Sequence, residues 1–362
     1  ESSSIRLNIK LEDFVSKAVA LSQTVNDASH GEGFWVDHWT YNLDLIENYL
    51  SVYPEKINDL LFNDKTYTYF DCDHYVLPRS RKHVLTQEGL VRQYGSVVKS
   101  EEKSVLIKSR KTNPNALRIK NGKGDIYISN LASKFITLMT VKMSSLDPDG
   151  IGIEMESDKP GWYDSLNGLP GLFGSSTPEV FELKRFMLFF LEALNNNKTE
   201  LISVPVELAL FFKNLGKLLD KKISSFEFWD KSSSLREEYR KSVVMGIDGK
   251  EEQIKASEII DFIKKAVNKI NSGLKKAIDP KSGLYFTYFR YEALKYKKTD
   301  SKSIKGLQCV KVSEFKRSPL PLFLESEVHY FKTESDKANV KKHFTALKNT
   351  GLYDKELKMY KV

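Results

Sequence analysis

Cysteine and long apolar runs are scarce in this sequence. Only Cys72 and Cys309 occur among the 362 residues, which excludes a disulfide scaffold and predicts a reducing, cytoplasmic environment. No apolar run approaches the roughly 18 residues that a membrane-spanning helix needs, so we expect no membrane partner. The acidic, serine-rich residues 1–4 do not resemble a signal peptide. Because the first residue is glutamate, we expect a piece of a longer, multidomain protein.

Several catalytic and metal-binding motifs are also absent. The six histidines form no H-E-x-x-H motif and no zinc-type cluster with cysteine. There is no G-x-S-x-G nucleophile motif, and the glycines lack dinucleotide-binding spacing. Residues 71–74 (DCDH) offer metal-binding atoms, but a surface turn with a hydrogen-bonded histidine is the favoured interpretation. The sequence therefore predicts no metal and no cofactor.

Positive charge is in excess but scattered. The net charge is +8, from 56 Lys+Arg and 48 Asp+Glu, and the lysines are scattered among glutamates and aspartates along the chain. Such a pattern is typical of a solvated surface rather than a nucleic-acid interface, and no RNA- or DNA-binding motif accompanies it. We therefore expect no nucleic-acid partner.

Helical periodicity dominates the chain. Apolar residues recur at helical spacing near 11–25, 43–53, 128–139, 178–194, 204–220, 225–245, 257–277 and 334–350. Strand-like stretches are few, the best being 285–291 and 307–312, which we expect to pair as a hairpin. The sequence therefore predicts a single all-α domain over residues 1–362, with long loops and a small β-hairpin.

The longest predicted loop, residues 147–176, carries unusual chemistry. Six glycines and three prolines require an irregular path, and long irregular connections are often functional. Aromatic, carboxylate and amide side chains lie along it, a mixture that suits a sugar, whose C–H face packs on a ring while its hydroxyls bind carboxylates. The residues concerned are Glu154, Trp162, Tyr163, Asp164 and Asn167.

The loop at residues 31–44 carries the same mixture. Its tryptophans could instead be core residues and its first acid a helix cap, since large aromatics are mostly buried. The repetition of the mixture before two predicted helices favours a binding role. The candidate binding residues are Trp35, Asp37, His38, Trp39, Asn42 and Asp44.

The segment KPGWYDSLNGLPGLFGSS, followed by an amphipathic helix, resembles the catalytic-acid motif of the cellobiose phosphorylase family and its larger β-glucan phosphorylase relatives. The resemblance implies an (α/α)6 barrel of helical hairpins, incomplete here, and places the general acid at Asp164. FWVDHWTYNLDLI resembles the family's sugar-binding motif, with Asp37 and Asp44 as its acids. SPLPLFLESEVHYFK resembles a further substrate-contacting stretch, with Glu325 in the polar position.

The sequence also departs from the family pattern. Val36 stands where the family has arginine, and the spacing from Asp37 to Asp44 exceeds that of the cellobiose enzymes, which favours a larger-glucan relative. Family members continue through a region that supplies much of the phosphate pocket. The resemblance therefore assigns no phosphate-binding residues in this chain.

The resemblance implies inverting phosphorolysis of a β-linked glucoside or oligoglucan, with inorganic phosphate as co-substrate and sugar 1-phosphate as product. One alternative is an inverting hydrolase, which needs a second carboxylate, Glu154 or Glu156, to activate water. Another is a glycan-binding piece without catalysis. The expected partners are the carbohydrate and phosphate, and either a homodimer or further domains of the same protein.

Overall fold

The computed structural model describes residues 8–22, 39–159, 164–197 and 199–361, and for Asp164 it describes the backbone only. The fold is mixed: about 48% of the residues are helical and 20% are in strands. The prediction of an all-α (α/α)6 barrel is therefore wrong, because a six-stranded antiparallel sheet, curled into a half-barrel, accompanies the helices.

Most helices lie where the apolar periodicity predicts them. The helices are α1 (Leu11–Leu21), α2 (Thr40–Val52), α3 (Arg79–Lys82), α4 (Glu101–Lys108), α5 (Leu131–Met143), α6 (Thr177–Asn196), α7 (Val206–Leu219), α8 (Ser225–Val243), α9 (Ala256–Leu274), α10 (Glu325–Thr333) and α11 (Lys337–Lys348). The short helices α3, α4 and α10 were not predicted. Among the described residues, no helix is long and apolar enough to cross a membrane.

The main core forms around α6. Its stripe of Phe186, Met187 and Phe190 is at most 1% exposed, and Phe135 of α5 packs against both phenylalanine rings. Such burial is worth about 1.5–3 kcal/mol for each large apolar side chain. Trp229 of α8 is also buried, with 2% of its surface exposed.

The strands are mostly short. They are β1 (His74–Val76), β2 (His83–Leu85), β3 (Val91–Gln93), β4 (Val97–Lys99), β5 (Ile153–Glu154), β6 (Ser175–Ser176), β7 (Leu201–Pro205), β8 (Glu251–Lys255), β9 (Tyr288–Lys302), β10 (Gln308–Pro319), β11 (Tyr353–Asp354) and β12 (Met359–Tyr360). The large sheet has the order β3-β2-β10-β9-β6-β5, and β1–β4, β7–β8 and β11–β12 form two-stranded sheets. β9 and β10 form a hairpin, but the two predicted stretches do not pair with each other: residues 289–291 lie opposite 317–319, and residues 308–312 lie opposite 296–302.

The short strands explain why the sequence pattern missed the sheet. A strand of two or three residues is too short to show an alternation of apolar and polar side chains. β5 and β6 lie within the glycine-rich 147–176 segment, where they pair Ile153 with Ser176 and Glu154 with Ser175. This pairing brings the two halves of the segment together directly before α6.

A close backbone contact joins α9 to the same segment. A Cβ atom at Gly273 would lie 1.7 Å from the carbonyl oxygen of Gly150, so only glycine fits. At Gly216 in α7, by contrast, a Cβ atom would meet its nearest neighbour, a ring carbon of Phe262, at an ordinary 3.7 Å.

We expect Gly273→Ala to lower the free energy of unfolding by about 2–4 kcal/mol, because two backbones must separate. The matched Gly216→Ala should be neutral or stabilise by up to about 1 kcal/mol, since alanine favours a helix interior. Urea denaturation of both variants measures the difference. Equal effects of the two changes would contradict the close packing of Gly273 on Gly150.

Candidate functional site

Several predicted site residues lie outside the described part of the chain. These are Trp35, Asp37 and His38 of the first loop, and Trp162 and Tyr163 of the second. The backbone of Asp164 begins a short 3-10 helix, Asp164–Leu166. Asn42 and Asn167 are exposed. The remaining predicted residues, Trp39, Asp44, Glu154 and Glu325, occupy two separate places.

Asp44 and Glu325 meet at the side of α6, in a group that we call the α6 cluster: Asp44, Glu182, Arg185, Glu325, His329 and Lys332. Arg185 lies 2.7 Å from Asp44 and 3.1 Å from Glu182. His329 contacts Glu182 at 2.6 Å and lies 4.0 Å from Glu325, which also accepts a hydrogen bond from the hydroxyl of Tyr288. The structure thus brings two of the predicted binding residues together, but within a network of ion pairs.

Trp39 lies at the neighbouring turn of α6. Its indole N–H donates to Glu179 at 3.1 Å, and Lys142 bonds the same carboxylate oxygen at 2.5 Å while its ammonium lies 4.9 Å from the indole ring centre. Phe186 packs edge-on against the same ring. These contacts hold Trp39 as a half-buried anchor of α2 on the core. They match the alternative interpretation of this tryptophan as a packing residue.

Glu154 lies elsewhere and is buried. It accepts a hydrogen bond from the indole N–H of Trp229 at 3.0 Å, and a guanidinium nitrogen of Arg236 lies 3.7 Å from the same oxygen. Both Glu154 and Arg236 are under a tenth exposed. Glu154 is therefore a buried structural carboxylate in this structure rather than a group that faces an open binding site.

Glu156 is the centre of an unusual charge arrangement. Its carboxylate binds Lys82 at 2.9 Å, Lys159 at 2.8 Å and Arg240 at 2.7 and 2.9 Å. Burial alone would raise the pKa of Glu156, but Arg240, Lys159 and Lys82 hold it well below its usual value. Glu156 is therefore ionised, and each of its two oxygens is bound by two cationic groups.

The cations around these two acids outnumber them. Glu154 and Glu156 carry two negative charges, whereas Lys82, Lys159, Arg236 and Arg240 carry four positive ones, so this group of six, which we call the Glu156 cluster, has an excess of two positive charges. Acids stand next to it: Arg79 binds both Glu237 and Asp230, and Asp158 lines the same cavity. A partly buried excess of positive charge favours an anion.

A cavity of about 480 Å³ opens on the Glu156 cluster. Lys159 and Arg240 line it and keep 31% and 23% of their side-chain surface exposed. The volume lies within the range of roughly 300–1,000 Å³ that small-molecule sites occupy. Four aromatic rings and several acidic or metal-binding side chains complete the wall: Tyr69, Phe70, Tyr75, Tyr239, Asp71, Cys72, His74 and Asp158.

Lys159, on the wall of this cavity, has a pKa shifted toward neutrality. Burial lowers its pKa to about 8; Arg240 and Lys82 act in the same direction, and Glu156 opposes them. A substantial fraction of Lys159 is therefore neutral in mildly alkaline solution. An anion bound beside it would favour the protonated form and raise its pKa.

Gln93 holds the two ends of the 155–170 stretch, the part of the chain that carries Lys159 and Asp164. Its side-chain amide donates to the carbonyl oxygens of Met155 at 3.0 Å and Pro170 at 3.4 Å, and is itself 1% exposed. The two ends of the 155–170 stretch are thereby bound to one side chain at the end of β3. Lys159 lies within this stretch, five residues before Asp164.

Helix α5 separates the cavity from the α6 cluster and its neighbour Trp39. Thr137 lines the cavity, whereas Lys142 contacts Trp39 and Glu179. Five residues along an α-helix correspond to about 140° around its axis. Among the described residues, the Asp44 and Glu325 region therefore does not join the cavity beside the Asp164 segment.

Sequence reasoning missed the main residues of this cavity. Lys159 immediately precedes the glycine- and proline-rich PGWYD stretch, and that position is the only sequence signal for it. Arg240, Lys82 and Gln93 lie far apart in sequence, and each resembles an ordinary surface residue. Their convergence depends on the sheet and on α8.

We expect Lys159 to titrate with a midpoint near 8, and inorganic phosphate to raise that midpoint. Glu156→Gln should lower the midpoint, because it removes the one anion that opposes Arg240 and Lys82. NMR of ¹³C-methylated lysines follows the titration, and Lys159→Arg identifies the resonance. Chloride at equal ionic strength serves as the control. An equal shift of the midpoint with chloride would contradict a specific phosphate-binding site.

We expect Glu182→Gln to destabilise the protein by about 2–4 kcal/mol, since His329, Arg185 and Lys332 lose a buried carboxylate. Burial raises the pKa of Glu182, but His329, Arg185 and Lys332 lower it below its usual value overall. The difference from wild type should be full above the ordinary glutamate pKa of about 4.3 and vanish as the pH falls through the lower folded value. Urea denaturation at several pH values measures it, with the exposed Glu192→Gln as the control.

Comparison with known proteins adds no relative. No family model matches the sequence, and no curated protein is significantly similar to it. The resemblance to the cellobiose phosphorylase family therefore stays a prediction, and the function is argued from the cavity itself.

Proposed function

We propose that the protein carries out inverting phosphorolysis of a β-linked glucoside or oligoglucan in the cavity beside Lys159, with Asp164 as the general acid. The observation that carries the proposal is the excess of positive charge at this cavity, which lies where the segment resembling the catalytic-acid motif begins. Lys159 and Arg240 would bind the phosphate, and the aromatic wall would bind the sugar.

The lining suits both halves of such a substrate pair. Arg240 presents a planar guanidinium and Lys159 a point charge, the two common partners of phosphate oxygens. Tyr69, Phe70 and Tyr75 offer ring surfaces on which the C–H face of a pyranose can pack. The cavity combines these two chemistries in a single volume of ordinary ligand size.

The state of the upstream glutamates favours phosphorolysis over hydrolysis. An inverting hydrolase needs a carboxylate that activates water, and the sequence offered Glu154 and Glu156 for that role. Glu154 is bound by Trp229 and Arg236, and Glu156 by three cations. Phosphate needs no such base, because it attacks as an anion.

The reaction needs no reactant other than the glucoside and inorganic phosphate. A phosphate oxygen attacks the anomeric carbon from the face opposite the glycosidic oxygen, and a new C–O bond forms as the old one breaks. Asp164 transfers its proton to the departing oxygen. A β-glucoside therefore gives the α-configured sugar 1-phosphate and a chain shorter by one unit.

Asp164 must be protonated for this role. The cations of the Glu156 cluster compensate the charges of Glu154 and Glu156, so these two carboxylates would repel an ionised Asp164 only weakly. A bound phosphate dianion would cancel the two excess positive charges of the cluster and thereby raise the pKa of Asp164. Protonation of the acid would thus accompany the arrival of the co-substrate.

We expect α-glucose 1-phosphate to form from β-gluco-oligosaccharides only when inorganic phosphate is present. The test uses the purified chain with a panel of β-linked glucosides, and ³¹P and ¹H NMR identify the product and its anomeric configuration. Asp164→Asn should lower kcat/KM by about 10²–10⁴-fold, as loss of a general acid does. Lys159→Gln should raise the KM for phosphate by about 10–100-fold, as loss of a charged hydrogen bond does.

Asp261→Asn and Lys265→Gln, an ion pair on the outer face of α9, are the matched controls. Release of free glucose at the same rate with and without phosphate would show that the reaction is hydrolysis and not phosphorolysis. Glycan binding without turnover that is unaffected by Asp164→Asn would indicate a binding module. If Lys159→Gln turned over with an unchanged KM for phosphate, Lys159 would not be a phosphate-binding residue.

A further inference from the structure

Three consecutive residues at the edge of the cavity, two of which line it, bring together donor atoms of three kinds. The thiol of Cys72, a carboxylate oxygen of Asp73 and a ring nitrogen of His74 all lie within 4.8 Å of one another. Nδ1 of His74 is 2.7 Å from the Asp73 carboxylate and 3.9 Å from the Cys72 sulfur. His74 begins β1, whose pairing with β4 fixes the backbone at this point.

These distances are close to those of a tetrahedral metal site. Zinc lies about 2.3 Å from a thiolate sulfur and about 2.0–2.2 Å from imidazole nitrogen and carboxylate oxygen, which sets neighbouring donors roughly 3.3–3.6 Å apart. The two observed separations fall on either side of that interval. Side-chain adjustments of less than about 1 Å would therefore bring the three donors onto one ion.

The charges around the three donors are close to balance in the absence of an ion. Asp71 is bound by Lys103 at 2.7 Å and by Arg110 at 2.8 Å, and Lys99 lies 4.0 Å from Asp73 with 42% of its side chain exposed. The thiolate that forms on metal binding would add a negative charge beside the ion. The excess of positive charge described above belongs to the Glu156 cluster, around a different carboxylate.

The cavity supplies an independent observation, because Cys72 and His74 both line it. The side chains of Asp73 and His74 are 22% and 29% exposed, so an ion can reach them from solvent. Three protein donors beside an open volume match the arrangement of catalytic zinc sites, which keep one coordination position for water or substrate. A closed structural site would instead surround the ion with four protein donors.

We propose that residues 72–74 form a zinc site, with Sγ of Cys72, a carboxylate oxygen of Asp73 and Nδ1 of His74 as ligands and the fourth position directed into the cavity. The turn predicted for this stretch is the scaffold that brings the donors together. Binding replaces the thiol proton, which is released to solvent. The zinc site does not depend on the sugar chemistry and holds or fails separately from it.

The test is a titration of the purified, metal-free chain with Co²⁺, whose spectrum reports its ligands, followed by competition with Zn²⁺. We expect one equivalent of Co²⁺ to give a near-ultraviolet thiolate-to-cobalt charge-transfer band and visible bands of tetrahedral intensity. One equivalent of Zn²⁺ should abolish both. Native mass spectrometry should show a single bound zinc ion.

Cys72→Ser should remove the charge-transfer band, and His74→Gln should weaken Co²⁺ binding at least tenfold. Cys309→Ala and His343→Gln are the matched controls, since Cys309 lies in β10 and His343 in α11, and both should bind Co²⁺ as wild type does. Circular dichroism verifies that each variant is folded. If Cys72→Ser does not fold, His74→Gln provides the test. A band that persists in Cys72→Ser, that disappears in Cys309→Ala, or that wild type never shows would overturn the proposal.

Discussion

A single carboxylate, that of Glu156, determines how charge is arranged around the cavity. It draws Lys82 from α3, Lys159 from the segment before Asp164 and Arg240 from α8 to one point. Lys82 is 2% exposed, so its ammonium would be costly to bury without this partner. Lys159 and Arg240 line the cavity, whereas Lys82 does not. The carboxylate that stabilises the buried lysine therefore also positions the two cations that would bind phosphate under the proposed function.

The two polar regions on either side of α5 differ in whether they border a cavity. In the α6 cluster, Arg185 binds Asp44, Glu182 and the neighbouring Glu47, and Glu325 accepts a hydrogen bond from Tyr288, so each acid has a close partner. Such a network attaches α2 and α10 to α6. The Glu156 cluster instead presents Lys159 and Arg240 on a cavity wall, and for that reason the cavity rather than the α6 cluster is the better candidate for chemistry.

The sequence predicted α6, α7 and α9 well because each buries a continuous apolar stripe. The core stripe of α6, with Phe186 and Phe190, repeats at helical spacing and is almost fully buried. The sheet could not be predicted in the same way, because β5 and β6 have two residues each and lie in a glycine-rich segment. The fold class was wrong for that reason: only the β9–β10 hairpin was long enough to be visible in the sequence.

The candidate site was predictable only in part. The sequence singled out the segment around Asp164, and it predicted Asp44 and Glu325 as substrate-binding residues. It could not show that Asp44 and Glu325 belong to an ion-pair network, nor that Glu156 binds Lys82 and Arg240. Those residues are separated by 74 and 84 positions from Glu156, and such contacts depend on tertiary structure rather than on local pattern.

The length of the β9–β10 hairpin has a consequence for the behaviour of the protein at high concentration. β6 covers β9 only at Tyr288 and Phe289, so within the described residues the 294–302 stretch has strand neighbours on the β10 side alone. An open strand edge invites pairing with a second molecule. Here Lys295, Lys297, Lys298 and Lys302 are all exposed along it, and two such edges would bring like charges together. Repulsion between the lysines therefore opposes pairing of two such edges. Salt screens this repulsion and so favours aggregation through the edge.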